Sequence, residues 1–152
     1  MQAIQTVGII GAGTMGNGIA QACATCGINV VMVDISQAAV DKGLATVSSS
    51  LDRLIKKEKI TADDKAAALA RITVATDYAA LAGAQLVIEA ATENEELKIK
   101  ILQQLDAMLP KETLIASNTS SISITKLAAA TQRASQFIGM HFFNPVPMMT
   151  LV

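Results

Sequence analysis

The sequence contains few of the residues that mark specialised classes of protein. Of its 152 residues none is tryptophan, one is tyrosine, one is histidine and two are cysteine. Charge is nearly balanced, with 12 Lys and Arg against 13 Asp and Glu, so neither a nucleic-acid partner nor an acidic tail is indicated. No apolar run reaches the ~18 residues of a membrane span, and the first residues lack the basic region of a signal peptide. We therefore expect one globular domain over 1–152, without a nucleic-acid or membrane partner.

The two cysteines, Cys23 and Cys26, have the C-x-x-C spacing of some redox and metal sites. A redox site needs accessible thiolates, and a metal site needs further ligands, which no second pair supplies. The favoured interpretation is two small residues on one face of a helix, and no metal site is expected. Reduced thiols fit a cytosolic or matrix-like compartment, and we expect a cytoplasmic protein.

Short apolar runs alternate along the chain with stretches that have helical periodicity. Six runs have strand character, as in a parallel sheet that is covered on both faces: 4–10, 28–34, 72–75, 84–89, 113–117 and 136–140. Five helices are predicted between them: 14–26, 36–57, 62–71, 94–109 and 125–131. This alternation predicts a doubly wound, mostly parallel α/β fold with helices on both faces. The apolar end of the chain, 148–152, is predicted to be a further strand.

A glycine-rich stretch, GAGTMG, lies directly after the first predicted strand and opens the first helix. In this setting a G-x-G-x-x-G match predicts a Rossmann-type dinucleotide site, in which the helix N-terminus meets a pyrophosphate. The first glycine permits the tight turn, the second lets the backbone approach the phosphates, and the third lets helix and strand pack closely. The predicted cofactor contacts are Gly11, Ala12, Gly13, Thr14, Met15 and Gly16. The alternative is a glycine turn in an unrelated α/β protein.

Asp34 ends the second predicted strand, 18 residues after Gly16. A carboxylate at this place accepts hydrogen bonds from the adenosine ribose. It would repel a 2′-phosphate, and no arginine follows it closely, so NAD is favoured over NADP.

Five stretches together resemble the L-3-hydroxyacyl-CoA dehydrogenases, and bacterial 3-hydroxybutyryl-CoA dehydrogenases in particular: VGIIGAGTMGNGIAQACA, VVMVD, ATENEELK, SNTSS and HFFNPVPMM. The resemblance implies NAD-dependent oxidation of (S)-3-hydroxyacyl-CoA, here 3-hydroxybutyryl-CoA, to 3-oxoacyl-CoA, and the reverse, in fatty acid or butanoate metabolism. It covers only the first of the family's two domains. The second, a helical domain, completes the acyl-CoA site and forms the homodimer. The family pattern continues directly beyond Val152 with a glutamate that pairs with the catalytic histidine, so this chain is expected to bind NAD with little or no turnover.

The same resemblance assigns the catalytic pair to His141 and Ser120. His141 matches the family's general base, a role for which imidazole titrates in the right range. Ser120 matches the active-site serine, whose hydroxyl would stabilise the developing oxyanion and contact both nicotinamide and substrate. Without the resemblance, a lone histidine after a strand is more often structural. The SNTSS stretch would then be a solvated loop that caps the next helix.

Three further residues match cofactor contacts of the family, namely Asn144, Glu93 and Lys98. Each has a simpler alternative: a turn residue before proline for Asn144, a first-turn helix charge for Glu93 and a surface lysine for Lys98. Glu89 is a competing candidate for the acidic residue that faces the site.

Ser50 and Lys57 match the family's coenzyme A contacts, together with Ser120. Lys57 belongs to a cluster of basic residues on the second helix, in which Lys56 and Lys59 could share the role. Such a cluster is more often a solvated face. Two other functions stay open at this point: a non-catalytic nucleotide-binding protein, and an NAD oxidoreductase that acts on 3-hydroxy acids without coenzyme A.

Overall fold

The structure is a computed structural model that describes residues 3–152. Its strands are β1 (Thr6–Ile10), β2 (Asn29–Val33), β3 (Ile72–Ala75), β4 (Leu86–Glu89), β5 (Leu114–Ser117) and β6 (Phe137–Gly139). Its α-helices are α1 (Thr14–Thr25), α2 (Gln37–Lys56), α3 (Ala62–Ala70), α4 (Glu95–Met108) and α5 (Ile124–Ala129). Short 3-10 helices cover Tyr78–Leu81, Ala134–Gln136 and Val146–Met148.

The six strands form one sheet in the order β3-β2-β1-β4-β5-β6, and every pairing in it is parallel. The chain first builds outward from β1 to β3, then returns to the other side of β1 and builds outward to β6. This order confirms the predicted doubly wound, Rossmann-type fold. Its topological switch point lies between β1 and β4, and ligands of such sheets bind there at the carboxyl ends of the strands.

Alternate residues of the central strands pack into two separate cores, one on each face of the sheet. Val7 and Ile9 of β1 lie in the core with Ile19 of α1 and Leu51 of α2. On the opposite face, Ile10, Val87 and Ile115 pack against residues of α4 and α5: Ile101, Leu102, Leu105 and Leu127. Burial on both faces explains why these strands read as continuous apolar runs in the sequence.

Four of the five α-helices among residues 3–152 begin with a side chain that accepts a backbone N–H of the first turn. These caps are Ser36, Thr61, Asn94 and Ser123. The exception is α1, which begins at Gly13 without a side-chain cap and without an acidic residue in its first turn. Its first N–H groups therefore stay available to an external acceptor.

The end of the chain differs from the prediction. Val146–Met148 forms a 3-10 helix and residues 149–152 have no regular structure, so the predicted strand over 148–152 is wrong. Val146 is buried because it packs on α1, where Gly18 leaves room for it. The segment therefore packs on a helix, through Val146 and Pro147, instead of forming a strand.

Cys23 and Cys26 are both free thiols. Burial, and then the neighbouring Cys26, raise the pKa of Cys23 to about 11. Cys23 therefore carries little thiolate at neutral pH, which disfavours redox chemistry at this pair. No helix in the described part of the chain is long and apolar enough to cross a membrane.

Candidate cofactor and substrate site

The glycine-rich turn joins β1 to α1 at the switch point of the sheet. Gly11 has a φ of +102°, which favours glycine, and a Cβ on it would lie 2.7 Å from the carbonyl oxygen of Ala90. A Cβ on Gly16 would lie 1.7 Å from the carbonyl oxygen of Gly11. The turn and the helix are thus in direct backbone contact, as the glycine spacing predicts.

Gly13 differs from these two glycines because the space in front of it is open. A Cβ on Gly13 would meet no atom within 4 Å. Gly13 is also the N-cap residue of α1, where no side chain accepts a hydrogen bond from the first turn. An open space beside uncapped N–H groups fits a pyrophosphate, which is an anion rich in acceptor oxygens.

Asp34 follows β2 and lies beside this turn. Its Oδ2 accepts a 2.7 Å hydrogen bond from the backbone N–H of Ala12, and its Oδ1 accepts one of 2.7 Å from Ile35. A carboxylate has about four acceptor positions, so two remain for the hydroxyls of a ribose. The residues present therefore fit the adenosine half of a dinucleotide.

A cavity of about 820 Å³ continues from Asp34 along the sheet edge. Ile35 lines this cavity with 92% of its surface exposed, and Tyr78, which is half-buried, lines it too. Burial first, and then the charges of Asp34 and Glu89, raise the pKa of Tyr78. Its hydroxyl is therefore protonated at neutral pH and can donate a hydrogen bond.

Glu89 and Lys98 form a buried ion pair under the site. The Oγ of Ser117 donates a 2.9 Å hydrogen bond to the same carboxylate, and the backbone N–H of Ala91 donates one of 3.0 Å. The alternative of a surface lysine is therefore wrong for Lys98, because its side chain is 1% exposed. Its predicted contact with NAD stays a prediction. Glu89 lies beneath the surface, so it does not face the site as a free carboxylate.

Glu93 lies in the loop before α4, ahead of the cap residue Asn94. The alternative role of Glu93, as a charge in the first turn of a helix, is therefore wrong. Its Oε2 accepts hydrogen bonds from the hydroxyls of Thr119, at 3.0 Å, and Ser121, at 2.9 Å. These residues flank Ser120, whose side chain is exposed. Glu93 thereby holds the loop on both sides of the predicted active-site serine.

His141 lies two residues beyond β6, and Ser120 lies three residues beyond β5. These two strands are neighbours, with Ser117 in register with Gly139, so both loops leave the same edge of the sheet. Asn118 joins the loops, because its carbonyl oxygen lies 3.1 Å from Nδ1 of His141. The carbonyl oxygen of Ser117 also accepts a 3.0 Å hydrogen bond from Met140.

Asn144 is exposed and lies on the wall of a second cavity of about 420 Å³. Two predicted coenzyme A contacts, Ser50 and Lys57, line the same cavity, although they lie on or just beyond α2, far from Asn144 in sequence. Arg53 and Lys59 add two further cations to its wall. The fold therefore brings Ser50, Lys57 and Asn144 into one cavity, whereas Ser120, the third predicted coenzyme A contact, does not line it.

Two contributors to this site had no role assigned from the sequence. The carbonyl oxygen of Asn118 contacts the ring of His141, and the hydroxyl of Thr119 ties the Ser120 loop to the carboxylate of Glu93. The only available signal is their place directly after a buried strand, at the edge where ligands bind. Sequence spacing indicates that edge, but it does not indicate which polar groups meet there.

The chain matches the family model "3-hydroxyacyl-CoA dehydrogenase, NAD binding domain" over residues 6–152. It is 51% identical to a 3-hydroxybutyryl-CoA dehydrogenase of Bradyrhizobium diazoefficiens and 44% identical to one of Clostridioides difficile. These matches cover 98% and 95% of this chain but 51% of each relative. The crystal structure of (S)-3-hydroxybutyryl-CoA dehydrogenase from Ralstonia eutropha is similar with a TM-score of 0.97 at 70% identity. That match covers 98% of this chain and 53% of the solved chain.

The chain thus spans about half the length of these relatives. The matched half contains the glycine-rich turn, Asp34 and the two loops that carry Ser120 and His141. The chain belongs to the 3-hydroxyacyl-CoA dehydrogenase family, as its NAD-binding domain.

Proposed function

We propose that this chain is the cofactor-binding half of an enzyme that oxidises (S)-3-hydroxyacyl-CoA to 3-oxoacyl-CoA and catalyses the reverse reaction. The observation that carries the proposal is the link through Asn118 between the Ser120 loop and His141 at the switch-point edge. It supports an imidazole and an exposed serine hydroxyl on neighbouring loops at the carboxyl edge of the sheet, the same edge at which the glycine-rich turn follows β1. The names of the similar proteins support 3-hydroxybutyryl-CoA as the substrate.

The turn and Asp34 would hold NAD through the pyrophosphate and the ribose. Gly13 and the uncapped N–H groups of α1 suit the first contact, and the two remaining acceptor positions of Asp34 suit the second. When bound, NAD supplies the hydride acceptor for the carbon that carries the hydroxyl. Asn144 and Glu93, which lie on loops at this edge of the sheet, are proposed as further cofactor contacts. Lys98 is also proposed as a cofactor contact, which requires that its buried ion pair with Glu89 opens.

His141 would take the proton of the substrate hydroxyl. Ser120 would donate a hydrogen bond to the oxygen on which negative charge develops. An exposed serine held only through its neighbours Thr119 and Ser121 keeps its own hydroxyl free for this contact. In the reverse direction, His141 would return the proton to the same oxygen.

The cavity with Ser50 and Lys57 supports coenzyme A rather than a free 3-hydroxy acid. Coenzyme A carries several phosphates, and three cations line this cavity: Arg53, Lys57 and Lys59. A free hydroxy acid offers one carboxylate and needs no such set. The cations therefore favour the thioester over the 3-hydroxy acid alternative.

The family resemblance supports two further parts of the proposal. A helical domain is expected to complete the acyl site and to form the homodimer. The protein is proposed to act in the cytoplasm, in fatty acid or butanoate metabolism. The cofactor-binding domain is proposed to comprise residues 1–152.

Two measurements test the proposal. Calorimetry with NADH should show binding to this chain, and a lack of heat would contradict the assignment of the turn and Asp34. Acetoacetyl-CoA reduction should be negligible in this chain and present when the helical domain of the family is attached. In that longer protein, His141→Ala should abolish turnover while NADH still binds, whereas retained turnover would contradict the base assignment.

A further inference from the structure

The ring of His141 has a defined hydrogen-bond partner within this chain. Its Nδ1 lies 3.1 Å from the backbone carbonyl oxygen of Asn118. A carbonyl oxygen can only accept, so a hydrogen bond here requires that Nδ1 carries the proton. In a neutral imidazole the unprotonated nitrogen is then Nε2. The ring also meets Phe143 edge to face, with centroids 4.9 Å apart, which restricts its rotation.

The accepting carbonyl is itself firmly held. The backbone N–H of Asn118 donates a 2.9 Å bond to the carbonyl oxygen of Glu89, which extends the pairing of β4 with β5. The side-chain Oδ1 of Asn118 accepts a 2.9 Å bond from the backbone N–H of Phe142, the residue after His141. Asn118 is buried, with 8% of its surface exposed. One residue thus contacts both the ring of His141 and the backbone of the residue that follows it.

We propose that Asn118 is a positioning residue that sets the tautomer of His141, with the proton on Nδ1 and the basic lone pair on Nε2. This deepens the function proposed above, because it names the nitrogen that would receive the substrate proton. When Nε2 takes that proton, the ring becomes imidazolium, and Nδ1–H keeps its bond to the carbonyl as a stronger, charge-assisted one. A contact within this chain therefore selects the basic nitrogen.

Nitrogen-15 spectroscopy of the imidazole tests this directly. His141 is the only histidine of the sequence, so the two ring nitrogens of the labelled chain give an unambiguous pair of signals. At mildly alkaline pH, where free imidazole is neutral, we expect a protonated Nδ1 and an unprotonated Nε2. The urea-unfolded chain supplies the reference ratio. An Nε2–H tautomer, or the same ratio in folded and unfolded chains, would overturn the proposal.

Variants at Asn118 test the cause. Asn118→Ala keeps the carbonyl but loses the bond to Phe142, and we expect the ratio of Nδ1–H to Nε2–H to fall about fivefold, the effect of one ordinary hydrogen bond. Asn118→Asp keeps a side-chain oxygen for Phe142 and should retain the tautomer. Asn29→Ala, at an exposed asparagine at the start of β2, should leave the ratio unchanged. An unchanged ratio in a folded Asn118→Ala would contradict the role of the Asn118 side chain.

The test separates this proposal from the proposed function. Failure of the chain to bind NADH would contradict the function but leave the tautomer assignment intact. An Nε2–H signal in a chain that binds NADH would contradict the tautomer assignment alone. If Asn118→Ala does not fold, the comparison of the native with the unfolded chain and the Asn118→Asp variant still decide the outcome.

Discussion

Glu89 and Lys98 form an ion pair in which the side chains are 0% and 1% exposed. Glu89 ends β4, and Lys98 lies one turn into α4, so the pair ties the end of a central strand to the helix that follows it. Ser117, at the end of β5, donates to the same carboxylate. These contacts therefore connect β4, β5 and α4 at the base of the loops that carry Glu93 and Ser120.

Lys98→Met should destabilise the chain severely, because it leaves the carboxylate of Glu89 buried without a countercharge. Loss of one partner of a buried pair costs about 3–5 kcal/mol. Urea unfolding measures this free energy. Lys126→Met is the matched control, because Lys126 pairs with Glu95 in a solvent-exposed position and its loss should cost at most about 1 kcal/mol. Equal, small losses in the two variants would show that the buried pair does not anchor the fold.

Gly13→Ala and Gly16→Ala should separate cofactor binding from folding. A Cβ on Gly13 meets nothing within 4 Å, and its φ of −68° suits alanine, so the fold should be retained. The methyl group would stand where a pyrophosphate must approach, so NADH affinity should fall at least about tenfold by calorimetry. A Cβ on Gly16 would overlap the carbonyl oxygen of Gly11, so that variant should melt at a much lower temperature. Tight NADH binding by Gly13→Ala would contradict the placement of the phosphates.

Asp34→Asn should reduce the preference of the chain for NADH over NADPH. The native carboxylate lies beside the turn and would repel a 2′-phosphate, so NADPH should bind more weakly than NADH. Removal of this charge should narrow the ratio of the two dissociation constants by about tenfold, equivalent to about 1.4 kcal/mol. Asp41→Asn, at an exposed position on α2, is the control and should leave the ratio unchanged. A ratio that Asp34→Asn does not move would exclude this carboxylate as the discriminating group.

Glu93→Ala should loosen the loop that carries Ser120. The variant removes the acceptor for the hydroxyls of Thr119 and Ser121. We expect amide hydrogen exchange over 119–122 to accelerate about five- to tenfold, while the strands keep their protection. Glu93→Gln retains an oxygen acceptor and should restore slow exchange, and Glu96→Ala, at an exposed position on α4, should have no effect. Exchange that is the same in Glu93→Ala and the native chain would show that the loop is held by other contacts.

Much of the fold could be predicted because its signals are local. Continuous Val and Ile runs follow from strands that are buried on both faces, and Ser36 and Asn94 cap helices at the predicted places. The end of the chain was predicted wrongly as a strand. Apolar character alone does not distinguish a strand from a segment that packs one side chain, Val146, into the space that Gly18 leaves on α1.

The candidate site was predictable only in part. The glycines and Asp34 could be located because a pyrophosphate and a ribose require small residues and a carboxylate at set distances along one βαβ unit. The burial of Lys98 was missed because nothing in the neighbouring sequence indicates that it pairs with Glu89, whose carboxylate also accepts a hydrogen bond from Ser117 of another strand. Lysine at a surface position and lysine in a buried pair look the same in a sequence.

The sequence by itself determined the alternation of strands and helices, the glycine-rich turn and the edge of the sheet at which the polar loops emerge. These depend on spacing between neighbouring residues and on side-chain size, which a linear pattern contains. Only the tertiary structure decided that Asn118 meets the ring of His141, that Glu93 holds both neighbours of Ser120, and that Ser50 and Lys57 share a cavity with Asn144. These contacts join residues about 20 to 90 positions apart, and their geometry depends on how β4, β5 and β6 pair and how α1 and α2 pack.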